Sequence, residues 1–221
     1  MTLPTAHSTI GVLASGGLDS SILLAHLLQQ ERCVHPFYVR SQLYWEQEEL
    51  ASLQAFLHKI ASPSLEELTV LDLPLGDLYG DHWSTNGHGT PDAQSPDEAV
   101  YLPGRNALLA IKPMLWCAMH NIEQLALAVL ASNPFSDATD AFFRDYESAM
   151  RKATGRAVQI VRPFAQLEKG QVIELGCDLP LELTFSCIAP VNGLHCGQCN
   201  KCAERQKAFT LVGIKDPTQY V

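Results

Sequence analysis

The sequence predicts an α/β protein built on a five-stranded parallel sheet with helices on both faces, followed by a short cysteine-rich segment. Three observations predict it. Short apolar runs alternate with helical stretches, the pattern of a parallel sheet covered on both sides. A glycine-rich turn, Ser15-Gly16-Gly17-Leu18-Asp19-Ser20, follows the first apolar run and opens a helix. Four cysteines, Cys187, Cys196, Cys199 and Cys202, gather late in the chain. With 221 residues and 47% hydrophobic content, the chain suits one α/β domain over 1–180 with an appendage over 181–221.

The elements follow in order. Thr9 to Ala14 is the first strand, and the apolar stretch from Ser21 to Leu28 is the first helix. Val34 to Val39 gives a second strand, and Trp45 to Ile60, rich in Glu, Gln, Leu and Ala, gives an amphipathic helix. Glu67 to Asp72 fits a third strand. Residues 74–100 break the pattern with Gly, Pro, Asn and Asp, as a lid or substrate loop does. In that loop His82 and Trp83 could touch a substrate, but a loop histidine and a packed tryptophan are the favoured reading. A helix from Asn106 to His120 carries Pro113 as a kink point, and Gln124 to Leu130 reads as a fully buried strand. A helix from Asp137 to Lys152, a fifth strand over Val158 to Val161 and a short helix from Lys169 to Leu175 complete the alternation. Ligands of such a sheet bind at the carboxyl ends of the strands, so Ser15, Ser41, Ser132 and Phe164 are expected at one edge.

The turn at residues 15–20 carries the chemistry. Paired glycines let backbone approach an oxyanion, and the N–H groups and dipole of a helix start favour negative charge. A phosphate group is the natural ligand. The chain lacks a Walker loop, and no G-x-G-x-x-G fingerprint stands at this turn, which disfavours phosphoryl-transfer and hydride-transfer folds. An ordinary glycine-rich turn capped by Asp19 or Ser20 is the alternative.

A formal charge of −9 leaves no broad positive field for a nucleic acid. No run approaches a membrane span, and Met1 to His7 lacks the regions of a signal peptide, so a cytoplasmic protein is expected. In a reducing compartment the clustered cysteines read as metal ligands rather than disulfides. Cys187, Cys196, Cys199 and Cys202 suit a closed, structural tetrahedral zinc site, with an iron–sulfur cluster as the competing occupant. Cys33, Cys117 and Cys177 lie in apolar segments and are expected in the core.

The loop S-G-G-x-D-S resembles the PP-loop of adenylating ATP pyrophosphatases, and the whole chain resembles the QueC/ExsB family of the queuosine pathway. Further motifs carry the resemblance. Tyr101-Leu102-Pro103-Gly104-Arg105-Asn106 matches the family's V-P-G-R-N. Ser186-Cys187 with Leu194 to Cys202 matches its zinc motif, and Lys169 matches the lysine opening a helix after the fifth strand. The resemblance implies a Rossmann-like, adenine nucleotide alpha hydrolase-like fold binding ATP, Mg2+ and Zn2+. Ser15, Gly16, Gly17, Leu18, Asp19 and Ser20 would grip the phosphates, and Tyr38, Val39 and Arg40 would frame the adenine. Asp19 would orient magnesium, while Arg105 and Lys169 would balance phosphate charge in catalysis. The implied reaction adenylates a small-molecule carboxylate, 7-carboxy-7-deazaguanine. Ammonia then gives an amide, and a second activation gives the nitrile. A homodimer is implied as well.

Two segments depart from the family. Its D-x-S-G-Y-P-D-C-R stretch is replaced by Leu130 to Thr139, in which Phe135 and Asp137 stand for the tyrosine and second aspartate but the first aspartate, cysteine and arginine have no counterpart. Asn133, Phe135 and Asp137 are the expected acid-binding residues, with helix capping as the alternative role of Asp137. Its Y-G-Q-x-H is replaced by Tyr38 to Glu46. These departures describe a divergent member, leaving open an amide-forming ligase for another acid or amine. A tRNA-thiolating enzyme and a non-catalytic nucleotide-binding module are the remaining alternatives.

Overall fold

Alternating apolar runs give five parallel strands: β1 (Thr9–Leu13), β2 (Cys33–Arg40), β3 (Thr69–Asp72), β4 (Gln124–Ala126) and β5 (Gln159–Val161), in the order β3-β2-β1-β4-β5. A computed structural model describes residues 8–221; the reading of Met1 to His7 falls outside the described residues. Strand β4 stops at Ala126, short of the expected Leu130. Leu127 N still donates to Val161 O at 2.9 Å, and from there Leu127, Ala128 and Val129 line a cleft, where apolar residues carry the same sequence signal as a buried strand.

Opposite faces of the sheet bury different helices. Ile10 and Val12 point to a core filled by helices α1 (Leu18–Gln29), α2 (Glu46–Lys59), α7 (Lys169–Leu175) and α8 (Asn200–Leu211), through Ile22, Leu53, Ile173 and Phe209. Phe37, Leu125 and Ile160 point to the other core, which takes Met114 and Cys117 of α5 (Arg105–Met119) and Phe143 and Met150 of α6 (Asp140–Thr154). Each fully buried aliphatic or aromatic side chain contributes about 1.5–3 kcal/mol. Because Ala208 and Phe209 share the first core with β1, the C-terminal segment is packed on the α/β domain. Helix α5 carries Pro113 without a break.

The expected lid at 74–100 is docked. It holds two short helices, α3 (Gly76–Tyr79) and α4 (Trp83–Asn86), and a 3-10 turn at Asp97–Val100. Trp83 and Val100 join Leu43, Trp45, Leu102, Phe185 and the buried cysteines in a third apolar cluster. Asn200 sews the loop to the cysteine segment, donating from its backbone to Pro91 O and from its side chain to Ser95 O, each at 2.9 Å. His82 caps α4, accepting from the Ser84 N–H, and so has a structural task. Of the three cysteines expected in the core, Cys117 is buried, but Cys33 is half-buried beside Glu66 and Cys177 is exposed. Cys177 lies just past the end of α7, where the apolar run has already turned outward.

Candidate active site

The chain runs from β1 outward to β2 and β3, then returns to β4 and β5 on the other side of β1. That reversal opens a crevice above the carboxyl ends of β1 and β4. Residues 15–20 turn there. Gly16 has φ +76°, and a Cβ on it would meet Glu49 O at 2.6 Å, so α2 packs its backbone directly against the loop. On the other side Gly16 O accepts from Phe185 N at 2.8 Å. Gly17 begins α1 without a side-chain cap, leaving first-turn N–H groups for a ligand. The Ser15 and Ser20 hydroxyls stand 3.2 Å apart, and Ser15 N donates to Ser20 Oγ at 3.1 Å.

Three compartments open around this loop, and Asp19 lines all of them. The first, a cavity of about 240 Å³, sets Leu13, Tyr38, Val39, Leu127 and Val129 against the polar groups of Ser20, Ser41, Glu46, Glu49, Arg105 and Asn133. The second is bounded by Ser15, Gly17, Arg105, Lys169 and Trp83. Ser132, Asn133, Phe135, Asp97, Lys201 and Glu204 bound the third.

Charges are paired across these walls. Lys169 Nζ donates to Asp19 Oδ2 at 2.7 Å and meets Glu204 Oε1 at 3.2 Å, while Glu204 Oε2 accepts from Lys201 at 2.6 Å. Burial works against the Lys169 ammonium, but Asp19 and Glu204 outweigh it and raise its pKa. Burial likewise opposes the Glu204 carboxylate, yet Lys169 and Lys201 hold its pKa down to about 2. Asp19 Oδ1 and Arg105 Nε are buried with no partner within the protein.

Glu49 is the reverse case. Its Oε2 accepts from the Tyr38 hydroxyl at 2.8 Å, but burial pushes its pKa up to about 7, against the pull of Arg105 and Tyr38. The folded protein therefore binds more protons here than the unfolded chain from the ordinary carboxylate range to about 7, and stability falls as pH rises through that window. Glu49→Gln is expected to be more stable than the wild type at about pH 8 and no more stable at about pH 4, read from urea denaturation at both values. Equal stabilities at the higher pH would contradict this.

The predicted residues divide. Ser15, Gly17, Leu18, Asp19, Ser20, Tyr38, Val39, Arg105, Asn133, Phe135 and Lys169 line the compartments, with Gly16 buried beneath the loop. Arg40 lies outside them, exposed and paired with Asp72 at 2.5 Å on the neighbouring edge strand. Asp137 also lies outside: its Oδ2 accepts from Asn106 N at 3.0 Å and its Oδ1 from Asn106 Nδ2 at 3.1 Å. It thereby fixes the start of α5 and the adjacent Arg105, while α6 is capped by Thr139. Phe164 is buried in the first core rather than at the ligand edge. Sequence reasoning passed over Glu49, Lys201, Glu204 and Asn106. The available signals were acidic residues on the helix facing the loop and an i,i+3 Lys–Glu pair interleaved with Cys199 and Cys202.

Cys187, Cys196, Cys199 and Cys202 converge with all four sulfurs within 4.8 Å of one another. Cys187 and Cys199 Sγ are 3.9 Å apart, and Cys196 and Cys202 Sγ 4.0 Å. A tetrahedron with zinc–sulfur bonds of about 2.3 Å has edges of about 3.8 Å. The donor set thus fits one tetrahedral zinc ion, whereas a cluster spreads its four cysteines over two or more irons and holds sulfurs on different irons farther apart. Backbone N–H groups of Cys196 and Cys199 point at the Cys187 and Cys196 sulfurs, each at 3.3 Å, which supports thiolate charge. With four protein ligands and no open position, a zinc ion held here would be structural.

A Rossmann-like parallel sheet with a glycine- and serine-bearing loop at its switch point, joined to a four-cysteine centre, defines a PP-loop nucleotide-binding enzyme. The family described as queuosine biosynthesis protein QueC matches residues 9–213, and the chain belongs to that family. A relative from Nitrosococcus oceani is 29% identical, with all of both chains covered, and one from Syntrophobacter fumaroxidans is 31% identical over 95% of each. Both are named 7-cyano-7-deazaguanine synthase. Among solved structures, the NMN synthetase of Francisella tularensis shares the fold, with a TM-score of 0.52, 15% identity, and 96% of this chain and 79% of that one covered. No described helix is long and apolar enough to cross a membrane.

Proposed function

We propose that the protein is an ATP-dependent ligase that converts 7-carboxy-7-deazaguanine to 7-cyano-7-deazaguanine. The position of Asp19, common to three adjoining compartments, carries the reading. Adenine lies against the apolar side chains of the first compartment, and the phosphates extend over residues 15–20 toward Arg105 and Lys169. The acid lies in the third, where Phe135 offers a ring face.

A carboxylate is a poor electrophile, so the chain's task is to hold it in line with the α-phosphate and neutralise charge as pyrophosphate leaves. Arg105 and Lys169 supply that charge. Asp19 Oδ1, buried and unpartnered, would hold Mg2+, which would supply positive charge beside the phosphates. Ammonia then displaces AMP to give the amide; in a second activation the amide oxygen displaces pyrophosphate from the α-phosphorus of another ATP, and that oxygen leaves with AMP as the nitrogen loses its protons, giving the nitrile. The same reading carries a homodimer and a cytoplasmic location.

Mass spectrometry of a reaction with ATP, ammonia and 7-carboxy-7-deazaguanine tests the proposal. The expected products are the nitrile, AMP and pyrophosphate; no turnover of this acid would defeat it. A second reading, an amide-forming ligase of the same fold, draws support from two observations: the loop after β4 lacks an acidic and a basic residue of the family pattern, and Asp137 is committed to Asn106. A product that stops at the amide, or turnover only with another acid or amine, would favour it.

A further inference from the structure

The second and third compartments meet along a boundary whose shared residues are Asp19, Lys201 and Glu204. Lys201 is the one cation among them. Lys169 lines the second compartment without reaching the third, and Arg105 lines the first and second. Adenylation brings two anions, a carboxylate and a phosphate, into bonding distance in a partly desolvated cleft, where their repulsion is stronger than in water. A cation reaching both compartments is the group that offsets it.

We propose that Lys201 seats the carboxylate of the acid against the α-phosphate, an assignment that rests on the ligase reading above. Three features fit this task. Glu204 stands between the two lysines, with Oε1 at 3.2 Å from Lys169 and Oε2 at 2.6 Å from Lys201, so it directs each ammonium to a different anion. Cys199 and Cys202 flank Lys201 on the first turn of α8, and the metal centre fixes that turn. Across the compartment, Phe135 lies 4.9 Å from Tyr101 and offers a flat wall, which selects a planar heteroaromatic acid.

In the step itself a carboxylate oxygen forms a bond to the α-phosphorus as the bond from that phosphorus to the bridging oxygen breaks. The electron pair leaves with pyrophosphate. Lys201 neither takes nor gives a proton; it lowers the repulsion on approach and holds the oxygen in line.

Calorimetric titration of the zinc-loaded protein, saturated with a non-hydrolysable ATP analogue, reads the contact directly. The probes are 7-carboxy-7-deazaguanine and its carboxamide. The wild type is expected to bind the acid more tightly than the amide, and Lys201→Met to lose roughly tenfold or more of acid affinity with amide and nucleotide affinities unchanged. Lys201→Arg should recover most of the loss. Zinc content is measured for each variant, and Lys201→Gln replaces the Met variant if that one loses metal. An unchanged acid-to-amide ratio in the variant overturns the assignment. A wild type that binds the nucleotide but neither probe overturns the ligase reading, and the assignment with it.

Discussion

Replacing Lys169 with Met is expected to reduce ATP–pyrophosphate exchange by about 10²–10³-fold, the size of effect seen when one group stabilising transition-state charge is removed. The reason lies in its place. Lys169 opens α7 beside α1, and its ammonium reaches Asp19 of the phosphate loop at 2.7 Å and Glu204 of α8 at 3.2 Å. Its neighbours raise its pKa against burial, so the charge is present across the neutral range. Truncation leaves Asp19 and Glu204 facing one another without it, and stability should fall by on the order of 2 kcal/mol, less than a fully buried pair loses because each side chain retains some solvent contact.

The pH dependence gives an independent check. Glu204 is held down to about 2 in the folded protein, so it contributes stability above the ordinary carboxylate pKa and loses it as pH falls toward about 2. With Lys169→Met that acid-side slope should become shallower, because only Lys201 still holds Glu204. Exchange kinetics and urea denaturation across the acid range check both effects. Lys169→Arg should restore charge and much of the stability while restoring less of the rate, since a planar fork does not replace a point charge. Full exchange activity in the Met variant would remove Lys169 from the phosphate site.

Much of this arrangement was legible in the sequence, and the gaps have physical causes. Runs such as Thr9 to Leu13 and Val34 to Val39 declare themselves because both faces of a parallel strand are buried. Residues 15–20 stand out because two glycines between a strand and a helix let backbone come close to an anion at the helix start. The cysteine spacing is explicit for the same kind of reason: thiolates on tight turns have one efficient use. Asp137 reads as an acid-binding residue, or as a cap of the helix that follows, because its partner, Asn106, is distant in sequence and lies on the preceding helix α5. Lys201 and Glu204 look like a solvated i,i+3 pair until α8 folds back onto α7 and brings them to the phosphate loop. Glu49 passed unnoticed for a related reason, since only the approach of α2 to Gly16 turns an ordinary helix acid into a cleft wall.

Removal of the metal should weaken nucleotide binding as well as stability, although none of the four cysteines is expected to touch ATP. Coordination free energy in zinc-finger peptides is about 10–16 kcal/mol, and because Cys187, Cys199 and Cys202 belong to the third apolar cluster, zinc bound here would hold that cluster and its backbone in place. Three connections run from it to the cleft. Phe185 N anchors Gly16 O at 2.8 Å, so the phosphate loop is held from the cysteine side. Cys199 caps α8 and Cys202 sits in its first turn, which aims Lys201 and Glu204. One turn on, buried Arg205 donates to Thr184 Oγ1 at 2.8 Å and Leu181 O at 2.9 Å, tying α8 to the segment that carries Phe185. Chelation should therefore increase amide hydrogen exchange in 181–202 and in residues 15–20 together, while the α5–α6 side of the sheet stays protected. Affinity for ATP should fall roughly tenfold or more, and zinc added back should restore it. Cys202→Ser should reproduce the chelated state without a chelator present. If exchange rises only in 181–202 and ATP affinity is unchanged, the cysteine centre stabilises its own segment alone, and the hydrogen bond from Phe185 to Gly16 does not support the loop.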